Sequence, residues 1–162
     1  MQGVIVHITR DFKKIICPQR KLVKLVRVIC NRFGLVSATV SIAIVGNRRI
    51  RKLNIEFLNH KNVTDCLAFD LSDSRTGHRL LELVVNGEKA KSEAAKRGHC
   101  AQAELALYIT HGLLHNLGFD DLLPKKANEM HLLEDEILQQ QGFGLVYDNK
   151  RKIVPEKRRR KC

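Results

Sequence analysis

The segment His111-Gly-Leu-Leu-His115-Asn-Leu-Gly118-Phe-Asp-Asp121 constrains this chain more than any other stretch. In an α-helix, residues four apart stack on one face, so the two imidazoles can address a single ion. Gly118 follows the second histidine by three residues and suits a left-handed turn that ends the helix and swings the chain back. Asp121 then arrives as a third ligand, with Asp120 as its rival. Two neutral imidazoles and one carboxylate suit zinc and leave a fourth position open, the arrangement of a catalytic site rather than a closed structural one. The expectation is one Zn2+ ion held by His111, His115 and Asp121, which act catalytically through it.

A histidine pair at this spacing can also lie on a solvated face. The neighbours argue against that, because Leu105, Leu107, Tyr108, Ile109, Leu113, Leu114 and Leu117 surround the helix with apolar side chains. Buried histidines need partners, and a shared ion satisfies two at once; a hydrogen bond to a carboxylate is the other route. The spacing is shared with the metzincin proteases, which place a glutamate general base directly after the first histidine. Here that position is Gly112, so peptide hydrolysis lacks its usual proton acceptor.

The same stretch resembles the signature of the YbeY family of zinc-dependent endoribonucleases, in which a His-Gly-x-Leu-His run leads through Gly-Tyr-Asp to a third ligand. Asn62-Val-Thr64-Asp65-Cys-Leu67-Ala-Phe69 resembles that family's Pro-Thr-Asp-Val-Leu-Ser-Phe strand, and Glu129-Met130 with Glu134 resembles the acidic helix after the metal loop. The resemblance covers about residues 3 to 142. It implies a metal-assisted endoribonuclease specific for single strands, acting in ribosomal RNA processing (16S rRNA 3′-end maturation) and ribosome quality control, with the small ribosomal subunit as partner. Carried over by position, His111 and His115 match the ligands, and Asp121 stands where the family most often has a third histidine.

Other positions depart from the family. Its Tyr-Arg pair before the strand, whose guanidinium faces the active site, is Phe57-Leu58 here, so a phosphate clamp is missing from that position. His60 and Lys61 are the nearest substitutes, although both also read as solvated loop residues. The strand's serine is Ala68 and the proline after its phenylalanine is Asp70.

Charge suggests where a polyanion would lie. Residues 1–61 carry 13 Lys and Arg against two acids, residues 62–149 carry eight against 14, and residues 150–162 carry eight against one. The metal-bearing section is therefore acidic, and the basic flanks would supply the phosphate-binding field. Arg48, Arg49 and Arg51, with Lys52, form the densest internal cluster, and Arg158 to Lys161 the densest terminal one. Arg48, Arg49, Arg51, His60 and Lys61 are thus candidates for contact with substrate, each set against the plainer reading of a solvated charge. With no Trp, six Phe and two Tyr at core-like spacings, a base-stacking platform is not indicated, and backbone recognition is expected instead.

The length suits one domain, residues 1–148, followed by a basic tail, 149–162, expected to be disordered. Five cysteines without a Cys-x-x-Cys pair read as reduced thiols of a cytoplasmic protein. No run approaches the ~20 apolar residues of a membrane span, and the start lacks a signal peptide's apolar region, so no membrane association is expected.

Periodicity predicts strands over 4–8, 37–45, 64–71 and 80–85, and helices over 18–33, 47–57, 88–96, 102–117 and 125–141. The fold class expected is α+β: a small mixed β-sheet with helices packed on it and a zincin-like metal helix at the centre. The strand beginning at Thr64 would lie as an edge along the metal cleft, a placement that leans on the resemblance. Two further functions stay open, a metallopeptidase and a non-catalytic ribosome-binding factor that keeps the metal as a structural clip.

Overall fold

Alternation of burial makes Ala38–Val45 a strand with one face in the core: Ala38, Val40, Ile42 and Ile44 are buried while Thr39, Ser41 and Ala43 are only partly so. In the computed structural model, which describes residues 3–144 and 146–147, this strand is β2 of a four-stranded sheet. β1 (Val4–Arg10) pairs with it in parallel on one side, and β4 (Arg79–Asn86) in parallel on the other. β3 (Cys66–Asp70) closes the far edge antiparallel to β4, giving the order β1-β2-β4-β3. The expected mixed sheet and the edge position of this strand are both present.

Five helices complete the α+β fold: α1 (Gln19–Arg32), α2 (Asn47–Leu58), α3 (Gly87–Arg97), α4 (Ala101–Asn116) and α5 (Pro124–Gln140). Every predicted element is found, with boundaries moved by one or two residues. α1 and α4 pack on one face of the sheet, where Leu22, Leu25, Ile29, Val40, Ile42, Leu83, Leu105, Ile109 and Leu113 form the main core. α2 covers β3 and β4 from the opposite face through a smaller cluster of Val45, Ile50 and Leu67.

Asn86 ties the pieces around the start of β3. Its side-chain amide donates to Asn47 Oδ1 (2.8 Å) and to the Thr64 carbonyl (3.0 Å), and its Oδ1 accepts from Lys89 N at the start of α3 (2.9 Å). The Asn86 N–H donates to the Asp65 carbonyl at 2.8 Å, and Asp65 Oδ1 accepts from the Cys66 N–H (2.9 Å) and the Thr64 hydroxyl (3.1 Å), so Asp65 is held through backbone and side chain together. Cys17, Cys30 and Cys66 carry free thiols, as expected, but Cys100 is disulfide-bonded, a departure from the reading of five reduced cysteines. The basic tail, with its cluster at 158–161, lies outside the described residues. No helix among the described residues is long and apolar enough to cross a membrane.

Candidate functional site

α4 is apolar almost all round, with 11 of its 16 residues buried against α1, α3, α5 and the β3–β4 edge. A polar stripe interrupts it, formed by Glu104, Tyr108, His111 and His115 at successive turns of one face. The helix ends where Gly118 adopts φ +96°, the left-handed region that favours glycine. The Gly118 N–H donates to His115 O (3.0 Å) and the Phe119 N–H to Leu114 O (3.0 Å), which satisfies the last carbonyls of the helix and reverses the chain. Phe119 then packs edge-on against Phe33 at 5.4 Å between ring centroids and anchors the returning loop.

That reversal delivers Asp121. Its carboxylate oxygens lie 3.7 Å from His111 Nε2 and 3.7 Å from His115 Nε2, and the two Nε2 atoms are 3.0 Å apart. One ligand atom from each of the three residues falls within 4.8 Å of the others, a separation suited to one ion with bonds of ~2.0–2.2 Å. Asp120 turns elsewhere: its Oδ2 pairs with Lys126 Nζ at 2.8 Å and its Oδ1 accepts from Leu122 N at 3.3 Å. The Lys126 hydrogen bond holds the Asp120 carboxyl below the usual carboxylate range. Of the two candidate third ligands, the geometry brings Asp121 to the imidazoles.

The outer nitrogens test whether this group fits a cation. His115 Nδ1 lies 3.0 Å from the Phe119 carbonyl, which only accepts, so Nδ1 must donate. His111 Nδ1 lies 2.7 Å from Glu134 Oε1, where it likewise donates to the carboxylate. With both Nδ1 atoms protonated, neutral rings turn two Nε2 lone pairs toward each other across 3.0 Å. Two acceptors at that distance repel unless a positive charge lies between them, and a carboxylate on the open side adds to the demand. The donor set fits a divalent ion, and the outer partners are the kind that orient metal-ligating histidines.

Electrostatics agree. Burial opposes the charged form of His111, but the Glu134 hydrogen bond and charge, with Asp65 and Asp121, outweigh it and raise its pKa above the ordinary 6.5. Glu134 itself is fully buried. In the sequence, Glu134 stands out only as part of an acidic helix and Asp65 only as part of the strand block, and neither is marked there as belonging to the site. The signal for Glu134 was available: with Met130, Ile137 and Leu138 it forms the buried stripe of α5, so an acid occupies a core position. The Phe119 carbonyl carries no such signal, because any residue supplies one.

The proposed substrate contacts are not gathered at the imidazoles by any contact among the described residues. Arg49 pairs with Asp11 at 3.3 Å, and Arg51 Nε donates to the Lys61 carbonyl at 3.1 Å. Arg48, Arg49 and Arg51 ride on α2, whose sheet face is opposite that of α4. His60 and Lys61 are exposed on the connection that leads to Asp65 and β3, and Leu58 is 49% exposed at the end of α2.

Comparison with known proteins finds a match over residues 7–142 to the family model described as endoribonuclease YbeY. An endoribonuclease YbeY of Anaeromyxobacter sp. (strain Fw109-5) is 38% identical over 111 residues, 68% of this chain and 58% of the relative. That of Myxococcus xanthus is 36% identical over 108 residues, 64% of this chain and 37% of the relative. That of Heliobacterium modesticaldum is 29% identical over 123 residues, 68% of this chain and 74% of the relative. The chain thus spans 58% and 37% of the length of the first two relatives. A Thermotoga maritima protein solved in solution shares the fold with a TM-score of 0.55 at 19% identity, over 95% of this chain and all of that one.

Proposed function

The chain belongs to the endoribonuclease YbeY family, and from that premise we propose that it is a metal-dependent endoribonuclease that cleaves single-stranded RNA during ribosomal RNA processing. The observation that carries the metal dependence is the pair of Nε2 atoms held 3.0 Å apart by donating Nδ1 groups, with Asp121 beside them. In this reading His111, His115 and Asp121 hold one ion, for which zinc suits the donor set. When bound, the ion supplies Lewis acidity toward a phosphate oxygen.

The chain's own residues do the rest. Glu134 and the Phe119 carbonyl fix the tautomer and the aim of the two rings, so nothing has to rotate when substrate arrives. Asp121, 38% exposed, sits on the open side of the group where a phosphodiester can approach. Arg48, Arg49, Arg51, His60 and Lys61 contribute a cationic field to the RNA backbone, supported by the strong basic excess of residues 1–61. The 2′-hydroxyl of RNA attacks the adjacent phosphorus as the bond to the 5′-oxygen breaks, which leaves a 2′,3′-cyclic phosphate and a 5′-hydroxyl that takes up the proton, and an internal nucleophile relieves the site of the need for a strong base. The family reading also proposes action at the 3′ end of the small-subunit RNA, ribosome quality control, the small ribosomal subunit as partner and a cytoplasmic location.

A second reading is favoured by Leu58, an exposed apolar side chain where the family presents a guanidinium: a ribosome-binding factor that retains the ion as a clip. Cleavage of a labelled single-stranded RNA by the zinc-loaded chain distinguishes the two. Activity that vanishes with His115→Ala and with chelation, and that spares the DNA of the same sequence, is expected. Tight RNA binding without cleavage, unaffected by His115→Ala, would overturn the enzymatic reading in favour of the clip.

A further inference from the structure

The polar stripe of α4 continues past the histidines, and its far end lines a cavity of about 260 Å³ for which the metal site has no use. Tyr108 stands three residues before His111, a rise of ~4.5 Å along the helix, and Glu104 one turn further on. Leu107, Tyr147 and Glu93 complete the walls, while Lys89 and Arg97 of α3 stand at the rim, where the Arg97 side chain is 42% exposed and also lies 3.9 Å from Glu93. Asp65 lines the same cavity and its charge also reaches His111, three residues along α4 from Tyr108 in the cavity wall.

The side chain of Glu104 is only 1% exposed. Its Oε2 is engaged by His99 Nε2 at 2.5 Å. Its Oε1 makes no hydrogen bond among the described residues, and the nearest cation, Arg97 Nη1, stays 3.6 Å away. A buried acceptor without a donor is costly, and it sits in the wall of a cavity large enough for one flat ring system. Burial first, then the Glu104 carboxyl, push the Tyr108 phenol above its ordinary range, so its hydroxyl remains a donor in the wall of the cavity.

We infer that this cavity is a nucleobase pocket: it receives the base of the nucleotide adjoining the scissile phosphate and favours bases whose exocyclic amino group donates to Glu104 Oε1. The inference rests on the RNA-cleaving reading and adds a preference to it. The cavity is mainly polar, with Leu107 and the rings of Tyr108 and Tyr147 as its apolar part, and Lys89 and Arg97 meet the flanking phosphate at the rim. Cytosine and uracil separate the chemistry cleanly, since the amino group at position 4 of one is a carbonyl in the other. A carbonyl there would face a second acceptor and leave both unsatisfied, so uridine is disfavoured by roughly tenfold or more.

The test needs no variant to begin. Calorimetric titration of the zinc-loaded full chain with CMP and with UMP is expected to give binding at least about tenfold tighter for CMP. Glu104→Gln, whose amide can donate to the uracil carbonyl, is expected to erase or invert that order, while Arg97→Gln weakens both nucleotides together. Equal affinity of the wild-type chain for CMP and UMP overturns the pocket, as does a preference for UMP. A CMP preference in a chain that cleaves no RNA upholds the pocket and defeats the endoribonuclease reading. Cleavage of RNA with no preference for the base and no CMP selectivity does the reverse.

Discussion

A Cβ placed on Gly112 would stand 2.6 Å from Cys66 Sγ and 2.9 Å from a Leu83 methyl, so α4 lies against the β3–β4 edge at a distance only glycine permits. Gly112 directly follows His111, the position where metzincins carry their glutamate base. The structure gives the absence of that base a physical cause: residue 112 faces the sheet rather than the ion, and any side chain there would have to displace Cys66 and Leu83. Gly112→Ala is expected to lower unfolding stability by ~1–3 kcal/mol through overpacking, read from denaturant midpoints. Unchanged stability would mean that the helix and sheet can part without penalty. Release of peptide fragments from casein by the zinc-loaded chain would show that a base enters from another element.

The ligand set is testable one residue at a time. His111→Ala and Asp121→Ala are each expected to reduce zinc content by metal analysis of the purified protein, because each removes one of the three atoms that converge. Asp120→Ala is expected to leave zinc content unchanged, since Lys126 Nζ holds that carboxylate at 2.8 Å. Equal zinc in all variants and the wild type would remove the site.

Much of this arrangement is legible in the amino-acid sequence, and the reasons differ by residue. The alternation in Ala38–Val45 and the apolar stripes of α1 and α5 are local signals written with the period of the element they form. The turn at Gly118 is equally local, because left-handed backbone after an apolar helix calls for glycine. What the sequence could not express is contact at a distance. Nothing in the α5 segment says that Glu134 reaches back 23 residues to His111, nor does the α4 segment say that Glu104 and Tyr108 open onto a cavity walled by α3 and Tyr147. The candidate substrate cations show the same limit: a dense run of Arg48, Arg49 and Arg51 is conspicuous in the chain, but nothing local says that its helix lies on the other face of the sheet from α4.

Glu134 should influence the ion without touching it. It accepts the His111 Nδ1 proton at 2.7 Å, which fixes the tautomer that presents Nε2. Glu134→Gln is nearly isosteric but loses the charge, and its amide can present an N–H to Nδ1 instead of an acceptor. Zinc affinity, measured by competition with a chelator, is expected to fall roughly 10–100-fold. An unchanged affinity would show that His111 is oriented by packing alone.

Proton and ion compete for the same nitrogen, which sets opposite pH trends for the loaded and chelated chains. In the chelated chain a proton on His111 Nε2 donates to His115 Nε2 at 3.0 Å. Burial opposes that charge, but Glu134, Asp65 and Asp121 outweigh it and raise the His111 pKa in the fold above 6.5. A raised folded-state value means the folded chain binds the proton more tightly than the unfolded chain. The stabilisation is therefore complete below about pH 6.5 and fades as the pH climbs through the folded-state value. Zinc needs the nitrogen deprotonated, so the loaded chain gains stability over the same interval. Thermal melts between about pH 6 and pH 8.5 should show the Tm of chelated protein falling while that of zinc-loaded protein rises. The chelated Glu134→Gln variant should show a flatter fall, because the carboxylate hydrogen-bonded to the imidazolium at 2.7 Å is gone. Parallel curves for chelated and loaded protein would show that His111 is not the group for which proton and metal compete.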